Sequence, residues 1–223
     1  MTAPPRPARD AWTATLLVVL AVAAVWAAFA GYGPTRLDGP ALGESIENRS
    51  PGLTAVAVAV TTIGNTASMA VLAALVGVFC WFRDRRADAV LAVVAMGTAS
   101  LVFTTIKSVL DRPRPPVADR LVTVGNESLP SGHATMSTVV IGTIVVLAWG
   151  VLGATGRAVL VVLAATWVGA VGATRVYLGV HWFSDVVAGW LVGTAWLAVC
   201  VTVWSWWRAR NLVVRASTGP PAP

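Results

Sequence analysis

Apolar residues in this chain come in long unbroken runs instead of alternating with polar ones, and charge marks where the runs stop. Six intervals free of charge lie between Asp10 and Arg36, Ser50 and Arg83, Asp88 and Lys107, His133 and Arg157, Arg157 and Arg175, and Asp185 and Arg208. Each is close to the roughly 20 residues a helix needs to cross the hydrocarbon core of a bilayer. The expected fold is therefore all-α: a polytopic membrane protein built as a six-transmembrane helix bundle over residues 11–207. The second interval is longer than one crossing requires. Its first part, GLTAVAVAVTTIGN, is broken by Thr61, Thr62, Gly64 and Asn65, and reads as an interfacial or re-entrant piece leading into a span at 66–82. The fifth, Ala158 to Thr174, lies at the lower edge of the spanning length and predicts a short helix.

Composition sharpens this picture. With 57% hydrophobic residues, 12% charged and a mean hydropathy of +0.74, the chain lacks the polar surface of a water-soluble domain. Tryptophans such as Trp12, Trp81, Trp149, Trp204, Trp206 and Trp207 fall near the span ends, where an amphipathic ring anchors among headgroups. Cys80 and Cys200 sit inside apolar runs with no metal-ligand spacing and read as small buried hydrophobes. The net charge of +6 does not imply nucleic acid, because the arginines are scattered through short inter-span loops. They set orientation instead: nine of the sixteen Lys and Arg lie on the side of the termini, and the opposite side holds most of the acids. Both termini are expected in the cytoplasm of a plasma-membrane protein. AFA at 28–30 resembles a signal-peptide cleavage site, but the apolar run before it is long for a signal, which favours a retained anchor. The Pro-rich head, residues 1–10, and the tail, residues 208–223, are expected to be disordered.

Three polar clusters interrupt the greasy pattern at span ends: KSVLDRPRP at 107–115, LPSGH at 129–133 and TRVYLGVHWFSD at 174–185. Two spans separate the last from the others, so parity places all three on one membrane face, the outer one by the charge count. Lys107, Arg114 and Arg175 converge there, and three cations held together call for an anion. Arginine's planar fork matches phosphate oxygens, and lysine adds a compact charge. Pro130 and Ser131 are suited to start and cap a helix, and Gly132 lets the backbone approach a bound group. That helix start presents free backbone N–H groups, a ready anion site.

A helix start alone does not predict His133 at the membrane edge. The only other histidine, His181, stands four residues before Asp185. A carboxylate that accepts the proton of one ring nitrogen leaves the other as a nucleophile or base. Two histidines and an aspartate are also the ligand set of a metal triad, but three neighbouring cations oppose a divalent ion. Phosphate is the better guest, and no cofactor is called for.

These residues resemble the type 2 phosphatidic acid phosphatase superfamily, which also includes vanadium haloperoxidases. Its pattern reads K-x6-R-P, P-S-G-H and S-R-x5-H-x3-D. Lys107, Arg114 and Pro115 match the first motif; Pro130, Ser131, Gly132 and His133 the second; Arg175, His181 and Asp185 the third. The resemblance covers roughly residues 60–207, and Thr174 replaces the usual serine. It implies a metal-independent lipid phosphatase in which His181 attacks phosphorus, Asp185 orients it, and His133 protonates the leaving oxygen and then activates water. Lys107, Arg114, Arg175, Ser131 and Gly132 would hold the phosphate. Two histidines starting in opposite protonation states imply a bell-shaped pH profile. The implied substrates are phosphatidic acid, phosphatidylglycerol phosphate or polyprenyl phosphates and pyrophosphates, with undecaprenyl pyrophosphate the main alternative. A lipid phosphotransferase remains open. A non-catalytic lipid transporter is disfavoured because binding needs the charges but no nucleophile.

Overall fold

The computed structural model describes residues 7–218, and every regular element in them is helical. In chain order these are α1 (Pro7–Ala30), α2 (Asp38–Glu47), α3 (Pro51–Ile63), α4 (Thr66–Phe82), α5 (Arg86–Leu110), α6 (Gly132–Ala148), α7 (Ala154–Tyr177) and α8 (Phe183–Thr218). Short 3-10 turns lie at Gly33–Leu37 and Val117–Asp119. Four helices are long and apolar enough to cross a membrane: α1, α5, α7 and α8. α3 and α4 together make a fifth candidate, bent by 47°.

The break in that pair has local causes. Asn65 caps α4, its side chain accepting from the Ser68 N–H at 2.8 Å, so a new helix starts there. A Cβ on Gly64 would lie 2.5 Å from Val171 Cγ2, so the bend sits hard against α7. α4 spans the residues expected of it, and the stretch before it is a helix of 13 residues.

The short helix is not the one expected. α7 runs for 24 residues, through both Arg157 and Arg175, whereas the apolar helix α6 has only 17. Charges bound an apolar run but do not end a helix. Glycines do so more readily, and Gly150 and Gly153 close the α6–α7 turn. α8 likewise continues past Arg208 to Thr218, and α1 already begins at Pro7, so helix enters both segments expected to be unstructured. Residues 1–6 and 219–223 lie outside the described ones.

α6 occupies the middle, touched by α4, α5, α7 and α8, while α1 lies along α8 and α2 rests on α7 and α8. The sequence GWLVG in α8 allows the closest crossing. A Cβ on Gly189 would stand 2.8 Å from Ser131 O, and one on Gly193 would stand 2.8 Å from Thr135 O. Small residues four apart are what let membrane helices approach backbone to backbone. Large apolar side chains such as Leu16, Val71, Phe82, Leu101 and Leu163 face outward, while Lys107, Arg175, His181 and Asp185 are buried. That inversion suits a lipid solvent and marks the buried charges as functional candidates.

Candidate active site

α6 begins where the chain can hold an anion. Ser131 is its N-cap, the hydroxyl facing the Ala134 N–H at 3.5 Å, and Gly132 is packed on Phe103. The Ser131 N–H donates to the backbone oxygen of Asp185 at 3.0 Å, tying the first turn of α6 to the first turn of α8. His133 projects from that same turn of α6 and lies within electrostatic reach of Arg175, Arg114 and Lys107.

His181 sits in the turn between α7 and α8. Gly179, with φ +68°, makes that turn possible, since a Cβ there would fall 2.1 Å from Asp119 O. The N–H groups of Val180 and His181 both donate to Arg175 O, at 3.1 and 3.2 Å. The imidazole is buried, and burial drives its pKa down to about 3; Asp185 opposes that shift, while Arg114 and Arg175 add to it. The ring is therefore neutral at physiological pH.

Its tautomer follows from its neighbours. Arg114 Nη1 stands 3.0 Å from His181 Nε2, and a guanidinium can only donate. Nε2 must then carry a lone pair, and the proton must reside on Nδ1. This is the form of histidine that attacks as a nucleophile through Nε2. Burial lowers the pKa of Arg114 to about 10, which leaves it cationic at neutral pH.

Asp185 lies in the first turn of α8, with its Oδ2 3.5 Å from His181 Nδ1. The same oxygen accepts from Ser128 Oγ at 2.5 Å and from the Trp182 N–H at 2.9 Å. Arg112 Nη1 holds the other oxygen, and Arg112 Nη2 reaches Asp38 Oδ2 at 2.9 Å. Asp38, at the start of α2, also accepts from the Ser184 N–H at 2.8 Å and from Ser184 Oγ at 2.7 Å, which caps α8. Sequence reasoning missed Asp38, Arg112, Ser128 and Ser184. Arg112 carried a signal, as a further cation in RPRP beside Arg114. Asp38 carried none, because its partner Ser184 is 146 residues away.

The remaining cations are spent unequally. Lys107 Nζ donates to the backbone oxygens of Glu127 and Ser128, at 2.5 and 3.3 Å. Arg114 is engaged by Asn126 O at 2.6 Å, Asn126 Oδ1 at 2.7 Å and Glu127 O at 3.0 Å, besides Val180 O. Among the described residues the Arg175 side chain makes one bond, from Nη1 to Thr61 Oγ1 on α3 at 2.6 Å, and its buried Nε finds no acceptor. A buried guanidinium N–H without an acceptor is costly, and a bound oxyanion would supply one. The Thr174 hydroxyl turns back to its own helix, donating to Val171 O at 2.6 Å. All the expected site residues thus converge at one end of the bundle, with Ser131 used partly as a helix cap.

Residues 88–209, more than half the chain, match the PAP2 superfamily. The chain belongs to the PAP2 superfamily. Among curated proteins it is similar to phosphatidylglycerophosphatase B of Bacillus subtilis (strain 168), 29% identical over 147 residues, covering 65% of this chain and 72% of that one. Its fold is that of a transmembrane PAP2-type phosphatidylglycerolphosphate phosphatase from Bacillus subtilis, with a TM-score of 0.76 at 24% identity over 85% of this chain and 94% of the other. Aquifex aeolicus LpxE is a more distant likeness, with a TM-score of 0.57 at 21% identity over 76% and 94% of the two chains. The PAP2 match begins after α4, yet Asp38 on α2 and Thr61 on α3 reach the site from outside it. The N-terminal helices therefore do more than anchor the PAP2 core.

Proposed function

We propose that this PAP2 member is an integral membrane phosphatase that hydrolyses the terminal phosphate of a lipid, with phosphatidylglycerol phosphate the first substrate to test. The observation that carries the reading is the buried Nε of Arg175, which finds no acceptor among the described residues, at the same end as two histidines, one of which directs its Nε2 lone pair at the Arg114 guanidinium. His181 Nε2 attacks phosphorus in line, and the bond from phosphorus to the lipid oxygen breaks. His133, which enters the step protonated beside the negative charge of the substrate phosphate, gives its proton to that oxygen, then takes one from water as the water attacks the phosphohistidine and frees inorganic phosphate. Lys107, Arg114, Arg175, Ser131 and the Gly132 N–H hold the nonbridging oxygens. Arg114 leaves Nε2 for the phosphate as substrate enters.

A lipid suits the surroundings. A cleft of about 370 Å³ between α1, α5 and α8 is lined by Val22, Trp26, Ile106, Leu110 and Val192, two of them flanking Lys107. A larger one, about 660 Å³, passes under α2 and reaches Thr174, next to Arg175, and Phe183. Either has room for an acyl chain, the first reaching Ile106 next to Lys107 and the second Thr174 next to Arg175. The fuller reading places six crossings, α6 among them, with the site at the extracytoplasmic face of the plasma membrane and the termini in the cytoplasm. The cytoplasmic end then carries the larger share of arginine.

The test is phosphate release in EDTA from a panel of lipid monophosphates and pyrophosphates, with wild type set against His181→Ala and His133→Ala. Release by wild type from one lipid class, lost in both variants, is the expected result. Full activity in His181→Ala, or strict dependence on added magnesium, would overturn the reading. Preference for a polyprenyl pyrophosphate over monophosphates would move the assignment to that substrate class.

A further inference from the structure

We propose that Asp185 governs His181 through the hydroxyl of Ser128, which makes Ser128 a positioning residue for the nucleophile. The inference rests on the phosphatase reading above. Ser128 Oγ lies 2.5 Å from Asp185 Oδ2 and 3.4 Å from His181 Nδ1, whereas the direct distance from Nδ1 to Oδ2 is 3.5 Å. All three side chains are buried, so no solvent competes for these contacts.

The direction of each bond follows from the inventory of donors. A serine hydroxyl has one proton and two lone pairs, and a carboxylate only accepts. Ser128 therefore donates a hydrogen bond to Asp185 Oδ2 and turns a lone pair toward the ring. His181 must carry its proton on Nδ1, because Arg114 occupies Nε2. The relay runs from Nδ1–H to the serine oxygen, and from the serine proton to the carboxylate.

Asp185 is held back from a closer approach. Arg112 binds its Oδ1 and is itself fixed by Asp38 and Ser184, the latter at 2.9 Å. Oδ2 is shared with the Trp182 N–H. A carboxylate tied at both oxygens keeps its place while a hydroxyl bridges the gap. Ser128 is also linked to the phosphate side, since its backbone oxygen accepts from Lys107 Nζ. When Nε2 bonds to phosphorus and the lipid oxygen leaves with the proton of His133, the ring becomes cationic with its proton still on Nδ1. Ser128 and Asp185 stabilise that charge, and neither gains nor loses a proton.

The experiment compares Ser128→Ala, Asp185→Asn and the double variant, reading steady-state kinetics, the single-turnover rate of phosphoenzyme formation and vanadate affinity. Losing a residue that orients a metal-bound histidine costs about 10- to 100-fold, and by that analogy the same fall in kcat and in phosphoenzyme formation is expected for Ser128→Ala. KM and vanadate affinity should stay within about twofold, because the backbone contact to Lys107 persists. The double variant should be no slower than Asp185→Asn alone, since residues acting in series do not add. If Ser128→Ala does not fold, Ser128→Cys, close in size but a weak hydrogen-bonding group, carries the same expectation. Wild-type kcat in the serine variant, or losses that multiply in the double variant, would overturn the proposal and leave the phosphatase reading standing. A wild-type protein that releases phosphate from no lipid would remove that reading and this proposal with it.

Discussion

The two ends of the helix bundle both carry arginine, and they use it in opposite ways. At the site end, Arg112, Arg114 and Arg175 turn inward and bond to carboxylates, backbone oxygens or a threonine hydroxyl. Arg49 and Arg120 pin loops there, donating to Asp119 O at 2.7 Å and to Pro115 O at 2.6 Å. At the other end, arginines lie over rings: Arg83 on Phe79, Arg86 on Trp81, Arg157 on Trp149, Arg208 on Trp204 and Arg210 on Trp206. Arg85 differs, bonding to Asp88 Oδ2 at 2.6 Å and to Leu147 O at 3.0 Å. Guanidinium over an aromatic face suits the membrane interface, where charge meets headgroups and the ring meets acyl chains. Burying the same group is expensive unless every N–H finds an acceptor, so the inward Arg175 with its idle Nε is the candidate place for the anion proposed above. Position in the bundle, not residue type, separates anchoring from chemistry.

Removing the proposed nucleophile gives the largest expected difference between the ends. His181→Ala should lower turnover on a lipid phosphate by roughly a thousandfold or more, as loss of a covalent nucleophile does elsewhere. Arg210→Ala should leave it within about twofold. Equal losses in phosphate-release assays would erase the distinction. A conservative exchange sharpens it. Lysine keeps the charge but loses the planar fork, so Arg175→Lys should cost roughly 10- to 100-fold in kcat/KM. Arg208→Lys, at the other end, should be close to neutral in the same assay.

How far the sequence foretold these ends depends on the range of the forces involved. Spans are legible because hydropathy is local, and the motifs of Lys107, Arg114, Ser131, His133, Arg175, His181 and Asp185 are legible because their spacing within each segment is short. The helix limits were less so. α7 keeps its backbone bonds straight through Arg157 and Arg175, since a charge at the end of an apolar run breaks no hydrogen bond. The supports of the site were invisible. Asp38 capping Ser184, Thr61 meeting Arg175 and Gly189 meeting Ser131 are tertiary contacts between segments that carry no shared pattern. Ser128 stood two residues from a motif already singled out, but only its distances to Asp185 and His181 give it a role.

Acid separates the ends on a smaller scale. The folded His181 stays neutral down to about pH 3, whereas in the unfolded chain an ordinary histidine binds a proton near pH 6.5. Between those values the unfolded state holds the extra proton, so stability is full above about 6.5 and falls as pH drops toward 3. The slope from this one group is at most about 1.4 kcal/mol per pH unit. Melting in detergent across that window should show the decline in wild type and a shallower one in His181→Asn. Identical slopes would mean that His181 titrates alike in both states. The guanidinium–ring pairs do not titrate there, so Arg86→Gln should leave the wild-type slope intact.

The smallest effect tests whether the outward arginines matter at all. Arg210 lies 3.7 Å from the centre of the Trp206 ring and Arg208 lies 4.7 Å from that of Trp204, but Arg208 also reaches Asp88 Oδ1 at 3.2 Å. A cation–π contact at an exposed site is worth about 0.5–1 kcal/mol. Arg210→Gln should therefore lower the melting temperature slightly and leave phosphate release per folded molecule unchanged. Arg208→Gln should lower it further, because the buried Asp88 loses one of its donors and keeps, among the described residues, Arg85 and Trp204. If Arg210→Gln proved the more damaging of the two, the ring contacts would outweigh the hydrogen bonds at this end. The division between an anchoring end and a chemical end would then need another basis than hydrogen bonding.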